Sequence, residues 1–214
     1  MGRPKLLLPW GKKTILAHLV EQWTELSAAQ IAIVVEQGSE VDARVRRMKA
    51  ERVPVNIEHP TSNIERPPVE VVINPRPALG MWSSVQCAAR WPGWKDVTHF
   101  VITLGDQPHV GSATLKVIMN FAEENAKWIC EPARKGRGRH PVVFPSEIFR
   151  EIAEEDTSPR PSPRSGEGEE SKTLKDFLRA HEAKRKMFES DDPALDLDID
   201  TAADYESALK LCNL

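Results

Sequence analysis

Apolar, β-branched runs that alternate with amphipathic segments constrain this chain more than any other feature. Ile31 to Val35 (IAIVV), Val69 to Ile73 (VEVVI), His99 to Leu104 (HFVITL) and Lys127 to Cys130 (KWIC) have the length and composition of strands. Ahead of the first, Ile15, Leu16, Leu19, Val20, Trp23 and Leu26 recur at helical spacing behind Thr14, a cap residue. Between the strands, SEVDARVRRMKA puts Val41, Val45 and Met48 on one side, SSVQCAARW reads as a short helix, and SATLKVIMNFAEE reads as a longer one capped by Ser112. Strands joined through helices run parallel, and a parallel sheet is covered on both faces. The expected fold is therefore α/β, a mainly parallel sheet between two helical layers.

Two stretches break the alternation. His59 to Pro68 (HPTSNIERPP) has three prolines and no apolar period, and is expected as a surface loop. Thr157 to Ser171 (TSPRPSPRSGEGEES) holds Pro, Ser, Gly, Arg and Glu and has little to bury, so it is expected to be disordered. It reads either as a flexible insertion or as a proline-rich ligand for a partner domain. Beyond it KTLKDFLRA is helical, LDLDI (Leu195 to Ile199) is strand-like, and TAADYESALKL opens with Thr201 and Asp204 as an acidic capping box. A length of 214 residues fits one domain over 1–214, with the low-complexity insert at 157–171.

Charge and cysteine content narrow the partners. Lys and Arg number 29 against 32 Asp and Glu, and a net charge of −3 gives no electrostatic reason to expect nucleic acid or an anionic membrane. An anionic ligand must then be held by a local site. Cys87, Cys130 and Cys212 are odd in number and far apart, which fits a reducing cytoplasm and buried structural thiols rather than a disulfide framework. No run reaches the roughly 20 apolar residues of a membrane span, and the amino terminus lacks a signal-peptide core. The protein is expected to be soluble and cytoplasmic; no pattern in the sequence speaks to its oligomeric state.

Candidate site residues cluster at predicted strand ends, where ligands gather in parallel α/β sheets. In VITLGDQPHV, Asp106 follows a strand and Gly105 permits close approach, an arrangement suited to Mg²⁺ or to an acidic turn. In DLDIDTAAD, alternation sends Asp196, Asp198 and Asp200 to one face; Asp196 reads as solvated, and Asp200 as a helix cap or a metal partner of Asp106. GRPKLLLPWGK offers Gly2, Arg3 and Lys5 to a phosphate, or is a basic surface. NPRPALGMWSSV combines Asn74, Gly80, Ser83 and Ser84 where a helix opens, suited to a ribose or base, or to capping alone. RKGRGRHPVVF presents Arg134, Lys135, Arg137, Arg139 and His140 as an anion clamp or a solvated basic hairpin.

In this order, MGRPKLLLPWGKKTIL, INPRPALGMWSSV, TLGDQPHV, RHPVVFPSEIF and DIDTAADYE resemble the MobA-like nucleotidyltransferases, most closely their molybdenum-cofactor cytidylyltransferase branch. The resemblance implies a Rossmann-like three-layer nucleotidyltransferase fold. It implies Mg²⁺-dependent transfer of a nucleoside monophosphate, here CMP from CTP, onto a phosphorylated pterin cofactor with release of pyrophosphate. Carried over by position, Lys5 matches the phosphate-contacting lysine, Gly80 with Ser83 and Ser84 the nucleoside-binding stretch, Asp106 the magnesium aspartate, and Asp200 the second acidic position. Arg137 and His140 fall in the stretch expected near the acceptor. Another NTP, a sugar-phosphate acceptor, or a non-catalytic remnant are the alternative readings.

The chain also departs from the family pattern. Members carry a strand and a loop of the form L-A-A-G-x-S-x-R directly before MGxPK, whereas this chain starts at Met1 of that motif. The expectation is a sheet with its first strand missing, through a misassigned start or a decayed gene, and weak or no transferase activity. Arg139 stands where a glycine is usual before the histidine, and residues 157–171 replace a G-D-x-G-A-R loop, so the acceptor side is expected to differ.

Overall fold

The structure is a computed structural model and describes residues 3–51, 67–155, 160–161, 169–170 and 172–214. The alternation read from the sequence is present in it. Strand β1 (Pro9–Trp10) pairs antiparallel with β2 (Lys13–Thr14), and α1 (Ile15–Glu25) follows, with Thr14 Oγ1 accepting from the Ala17 N–H at 3.2 Å. Then come β3 (Ile31–Val35), α2 (Glu40–Glu51), β4 (Val69–Ile73), α3 (Met81–Arg90), β5 (His99–Ile102), α4 (Ser112–Glu124), β6 (Ile129–Arg134), β7 (Arg137–Gly138), β8 (Val142–Pro145) and α5 (Ser146–Glu154). Strands β9 (Arg160–Pro161) and β10 (Glu169–Glu170) pair with each other; α6 (Leu174–Ala180), β11 (Arg185–Glu189) and α7 (Ala202–Leu211) complete the chain. The rest of the 157–171 insert, and the surface loop expected at 59–68 as far as residue 66, lie outside the described residues.

The main strands form two ladders, β3 with β4 in one and a mixed sheet in the order β11-β6-β8-β5 in the other. β3 pairs parallel with β4, and β11 pairs parallel with β6, while β8 runs antiparallel to both β6 and β5. Period-2 alternation on the inner strands divides the core between two faces. Ile129, Val142 and Phe144 pack with Trp82, Phe149 and Phe177 from α3, α5 and α6; Cys130 and Val143, one residue out of phase, pack with Trp23 of α1 and Ile118 of α4. Helices thus cover both faces, each large apolar side chain contributing about 1.5–3 kcal/mol by burial. A third cluster joins Trp10, Ile15 and Leu19 to Ile199 and Ala208, fastening the amino-terminal loop onto α7.

Several expectations are corrected. β5 ends at Ile102 rather than Leu104, so Asp106 lies four residues beyond the last paired residue. The cap of α4 is Gly111, not Ser112. LDLDI forms no strand: Pro193–Asp196 is a 3₁₀ turn and the residues after it run extended without a ladder, although the alternation persists, with Leu195 and Ile199 buried and Asp196, Asp198 and Asp200 exposed. Most informative is β3. Its apolar sequence predicts a buried strand, yet among its five residues only Val35 is buried. The cause is that β3 and β5 do not pair with each other, so one edge of each is open among the described residues. Among those residues, no helix is long and apolar enough to cross a membrane.

Candidate active site

Asp106 sits in a turn fastened from three directions. Its carbonyl accepts from the Ile199 N–H at 3.1 Å, joining the turn to the acidic carboxyl-terminal segment. Buried Gln107 donates from Nε2 to Asp198 Oδ1 at 2.8 Å. His18 Nε2 lies 3.0 Å from the Pro108 carbonyl, and His109 Nε2 lies 3.0 Å from that of Ala194, so the turn is tied to α1 and again to the carboxyl-terminal segment. Burial pushes both histidines below their usual range, so each is a neutral structural donor here. Gly105 has a steric reason: an added Cβ would come within 2.7 Å of Leu6 Cδ2. The close approach that glycine allows is therefore that of the loop carrying Lys5.

The electrostatics around Asp106 are uncompensated. Its Oδ1 is buried with no hydrogen-bond partner among the described residues. Burial first, and the neighbouring Asp198 charge second, raise its pKa; its backbone and Lys5 oppose this, and Asp200 adds a smaller push. Lys5 Nζ donates to Asp200 Oδ1 at 2.6 Å, and this bond, reinforced by the charges of Asp106 and Asp198, holds the ammonium above its ordinary value. One cation is thus shared by three carboxylates. Among the described residues no group of three or more His, Cys, Asp or Glu side chains is arranged to hold a metal unaided.

The structure brings Asn74, Ser83 and Ser84 together, as the sequence suggested, but engages them with one another. Asn74 Nδ2 donates to Ser83 Oγ at 2.8 Å and to Ser84 Oγ at 3.0 Å, while Asn74 Oδ1 accepts from the Arg76 N–H. Ser83 Oγ contacts the carbonyls of Arg76 and Gly80. Asn74 and Ser83 are buried, so they brace the loop before α3. Gly80, at φ +80°, caps that helix from an exposed, left-handed position that suits glycine.

Two of the basic side chains on the hairpin share one carboxylate. Arg134 and Arg139 both bind the Asp196 carboxylate, at 2.6 Å each, so Asp196 is paired rather than merely solvated. Arg137 is exposed and opens β7, opposite Arg134 across the turn at Lys135 and Gly136. His140 is partly buried, with Nδ1 3.4 Å from the Ile102 carbonyl; burial lowers its pKa, while the charges of Asp198 and Asp106 counter this and mark it as a neighbour of the acidic cluster. Gly2 lies outside the described residues.

Residues 1–165 match the family described as the MobA-like NTP transferase domain. The chain belongs to the MobA-like NTP transferase family. No curated protein matches it. Solved structures that resemble it include the manganese complex of Rv0371c from Mycobacterium tuberculosis H37Rv, at 24% identity, 98% coverage of this chain and 93% of that one, and TM-score 0.59. They also include molybdopterin-guanine dinucleotide biosynthesis protein A from Archaeoglobus fulgidus (12% identity, 99% and 92% coverage, TM-score 0.56). A third is 4-diphosphocytidyl-2C-methyl-D-erythritol synthase from Anaerococcus prevotii (9% identity, 98% and 93% coverage, TM-score 0.65). At such identities these likenesses establish a shared nucleotidyltransferase-type fold.

Two further residues adjoin the candidate site, Gln107 within the matched segment and Asp198 beyond it. Asp198 weighs more on Asp106 than Asp200 does, and Gln107 links Asp198 to the Asp106 turn. The signal for Asp198 was the alternation itself, which sets it on the same side as Asp200; nothing local marked Gln107 as more than a turn residue.

Proposed function

We propose that this MobA-like protein is an Mg²⁺-dependent nucleotidyltransferase that takes CTP in preference to other NTPs and transfers CMP to a phosphorylated pterin of the molybdenum-cofactor type, releasing pyrophosphate. The observation that carries this reading is the buried Oδ1 of Asp106, which has no partner among the described residues, near the charge of Asp198, a donor set that suits a hard divalent cation. Asp106 and Asp198 would hold the cation, with Asp200 adjoining. When bound, Mg²⁺ neutralises charge on the triphosphate and the departing pyrophosphate. The small protein donor set fits this ion, which keeps waters and phosphate oxygens in its shell. Lys5 supplies a mobile positive charge: an arriving triphosphate competes with Asp200 for its ammonium, so phosphate binding and release of the Lys5–Asp200 pair are coupled.

The rest of the site positions. Asn74, Ser83 and Ser84 fix the loop that ends at Gly80, leaving its exposed backbone to approach the nucleoside. Arg137 and His140 lie on the hairpin assigned to the acceptor. No covalent nucleophile is required, because nucleotidyl transfer is driven by alignment and charge neutralisation.

Calorimetric titration of CTP, GTP and ATP in the presence of Mg²⁺, followed by a pyrophosphate-release assay with a phosphorylated pterin, tests the reading. CTP should bind tightest, and its binding should be lost on chelation with EDTA. Tighter binding of GTP or ATP, or turnover only with a sugar phosphate, would move the assignment to another transferase; no heat with any nucleotide would make the chain a non-catalytic member.

A further inference from the structure

Arg134 and Arg139 close on one carboxylate from the two sides of a hairpin turn. Arg134 Nε donates to Asp196 Oδ2 at 2.6 Å, and Arg139 donates to Oδ1 from Nε at 2.9 Å and from Nη2 at 2.6 Å, so both oxygens of Asp196 are taken. The backbone beneath the two arginines is fixed as well. Arg134 pairs with Arg137 across β6 and β7, and the Arg139 N–H donates to the Pro132 carbonyl at 2.8 Å. Because β6 is flanked by β11 and β8, both guanidiniums are rooted in the middle of the sheet. His140, the next residue, feels the charges of Asp198 and Asp106, so the hairpin reaches the acidic cluster at two successive positions.

The segment that carries Asp196 has little of its own to hold it. Residues 197–200 run extended without a ladder among the described residues, crossing from the core cluster that contains Leu195 to the one that contains Ile199. Burial of those two side chains fixes which way the chain faces, but the stretch between them can still shift along its axis. On its exposed side each aspartate meets a different part of the chain: Asp196 the two arginines, Asp198 the Gln107 amide at 2.8 Å, and Asp200 the Lys5 ammonium at 2.6 Å. Gln107 lies in the turn that has to be placed, and Lys5 lies in the amino-terminal loop; the arginine pair alone among these three holds is anchored in the ladder of β6. We infer that Arg134 and Arg139 are positioning residues, which through Asp196 set the place of the 196–200 segment and so hold Asp198 beside the Asp106 turn. Period 2 puts Asp196 and Asp198 on one side, so a displacement of the first is passed to the second. Partners of this outer kind orient the groups that touch a ligand without touching it themselves. The effect on a cation rests on the proposed function, whereas the placement of the segment does not. Charge and position also predict opposite signs: if the arginines acted on the site only through their charge, removing one would favour a cation there, and if they place Asp198, removing one disfavours it.

The test uses Arg139→Gln, Asp196→Ala and the double variant in the full chain, first without metal. Exchange of the Ile199 amide, which bonds to the Asp106 carbonyl, should speed by about fivefold in each single variant, while the amides of Cys130 and Val143 inside the sheet stay protected. The double variant should exchange no faster than either single one, because all three remove the same contact. Unchanged exchange at Ile199, or additive acceleration in the double variant, would overturn the inference. Equal loss of protection at Cys130 and Val143 would overturn it too, by reducing the pair to general stability. Calorimetric titration with Mn²⁺ then reads the sign: affinity should fall by about tenfold in Arg139→Gln, and unchanged or tighter binding would overturn the inference. A wild type that takes up no Mn²⁺, with the exchange results as expected, would refute the proposed function and uphold the positioning role.

Discussion

Replacing Asp106 with asparagine should stabilise the fold while removing its nucleotide chemistry. Asp106 holds a buried carboxylate oxygen that has no hydrogen-bond partner among the described residues, near the charge of Asp198, and Lys5 acts on it only through its charge. A buried unsatisfied polar group costs about 1–3 kcal/mol. Asp106 is only partly buried, so solvent screening reduces the gain from Asp106→Asn to about 1 kcal/mol. In a chain of this size that corresponds to a rise of roughly 2–4 °C in melting temperature. The pH dependence has a definite sign. A carboxyl whose folded pKa is raised binds its proton in the native state before the unfolded chain does, so its destabilising charge is fully present at neutral pH. That cost fades as pH falls through the raised value toward the ordinary 3.8. The stability gap between variant and wild type should therefore be widest near neutrality and close on acidification, measured by urea unfolding across pH. In parallel, nucleotidyl transfer should fall on the order of 10²–10³-fold, the loss typical of a missing electrostatic contact to the transition state. A destabilised Asp106→Asn, or one that keeps its pyrophosphate release, would refute the reasoning.

Three further outcomes follow from the same geometry. Asp198→Asn should weaken Mn²⁺ or Mg²⁺ binding as severely as Asp106→Asn does, whereas Asp200→Asn should chiefly free Lys5 and change cation affinity less than about tenfold, each read by calorimetry. Gly105→Ala should cost about 1 kcal/mol by pushing Leu6, and a Leu6→Ala change in the same chain should recover most of it; full additivity in the double-mutant cycle would show that the two do not meet. Cys130, fully buried with its thiol pushed up to about 11 by burial, should stay unmodified by a thiol reagent in the folded protein while the less buried Cys87 and Cys212 react.

The sequence was informative where structure is set locally and silent where it is set by a distant partner. Helix faces were legible because residues such as Ile15, Leu19 and Trp23 repeat at helical spacing whatever lies above them, and the Thr14 and Thr201 caps close within their own turns. Alternation at 195–200 correctly separated Leu195 and Ile199 from the aspartates, because period 2 reports which side is buried. It could not say that no ladder forms there, since a ladder depends on what lies alongside. The same limit hid the open edge of β3: IAIVV has the composition of a buried strand, and its exposure follows from β5 standing apart. Site residues divide likewise. Asp106 was legible from a strand followed by Gly and Asp; the pairing of Asp196 with Arg134 and Arg139, and the weight of Asp198 on Asp106, arise between segments some 60 to 90 residues apart.

The turn around Asp106 also explains why a protein would retain a costly carboxylate. An isolated turn with such a charge would relax, rotating the side chain to water or drawing a lysine onto it. Here Gln107, His18, His109 and the Ile199 amide fix the backbone on both sides, and Lys5 is held by Asp200 instead. The strain of unpaired charge is thus carried by packing in the rest of the domain, and on the proposed function a bound cation would relieve it. Differential stability of this kind is what lets a ligand act: a site already neutralised by its own residues would have little affinity left for the metal-bound nucleotide. If this is right, divalent cation should raise the melting temperature of the wild type but leave Asp106→Asn unchanged. An equal shift in both would place the cation elsewhere.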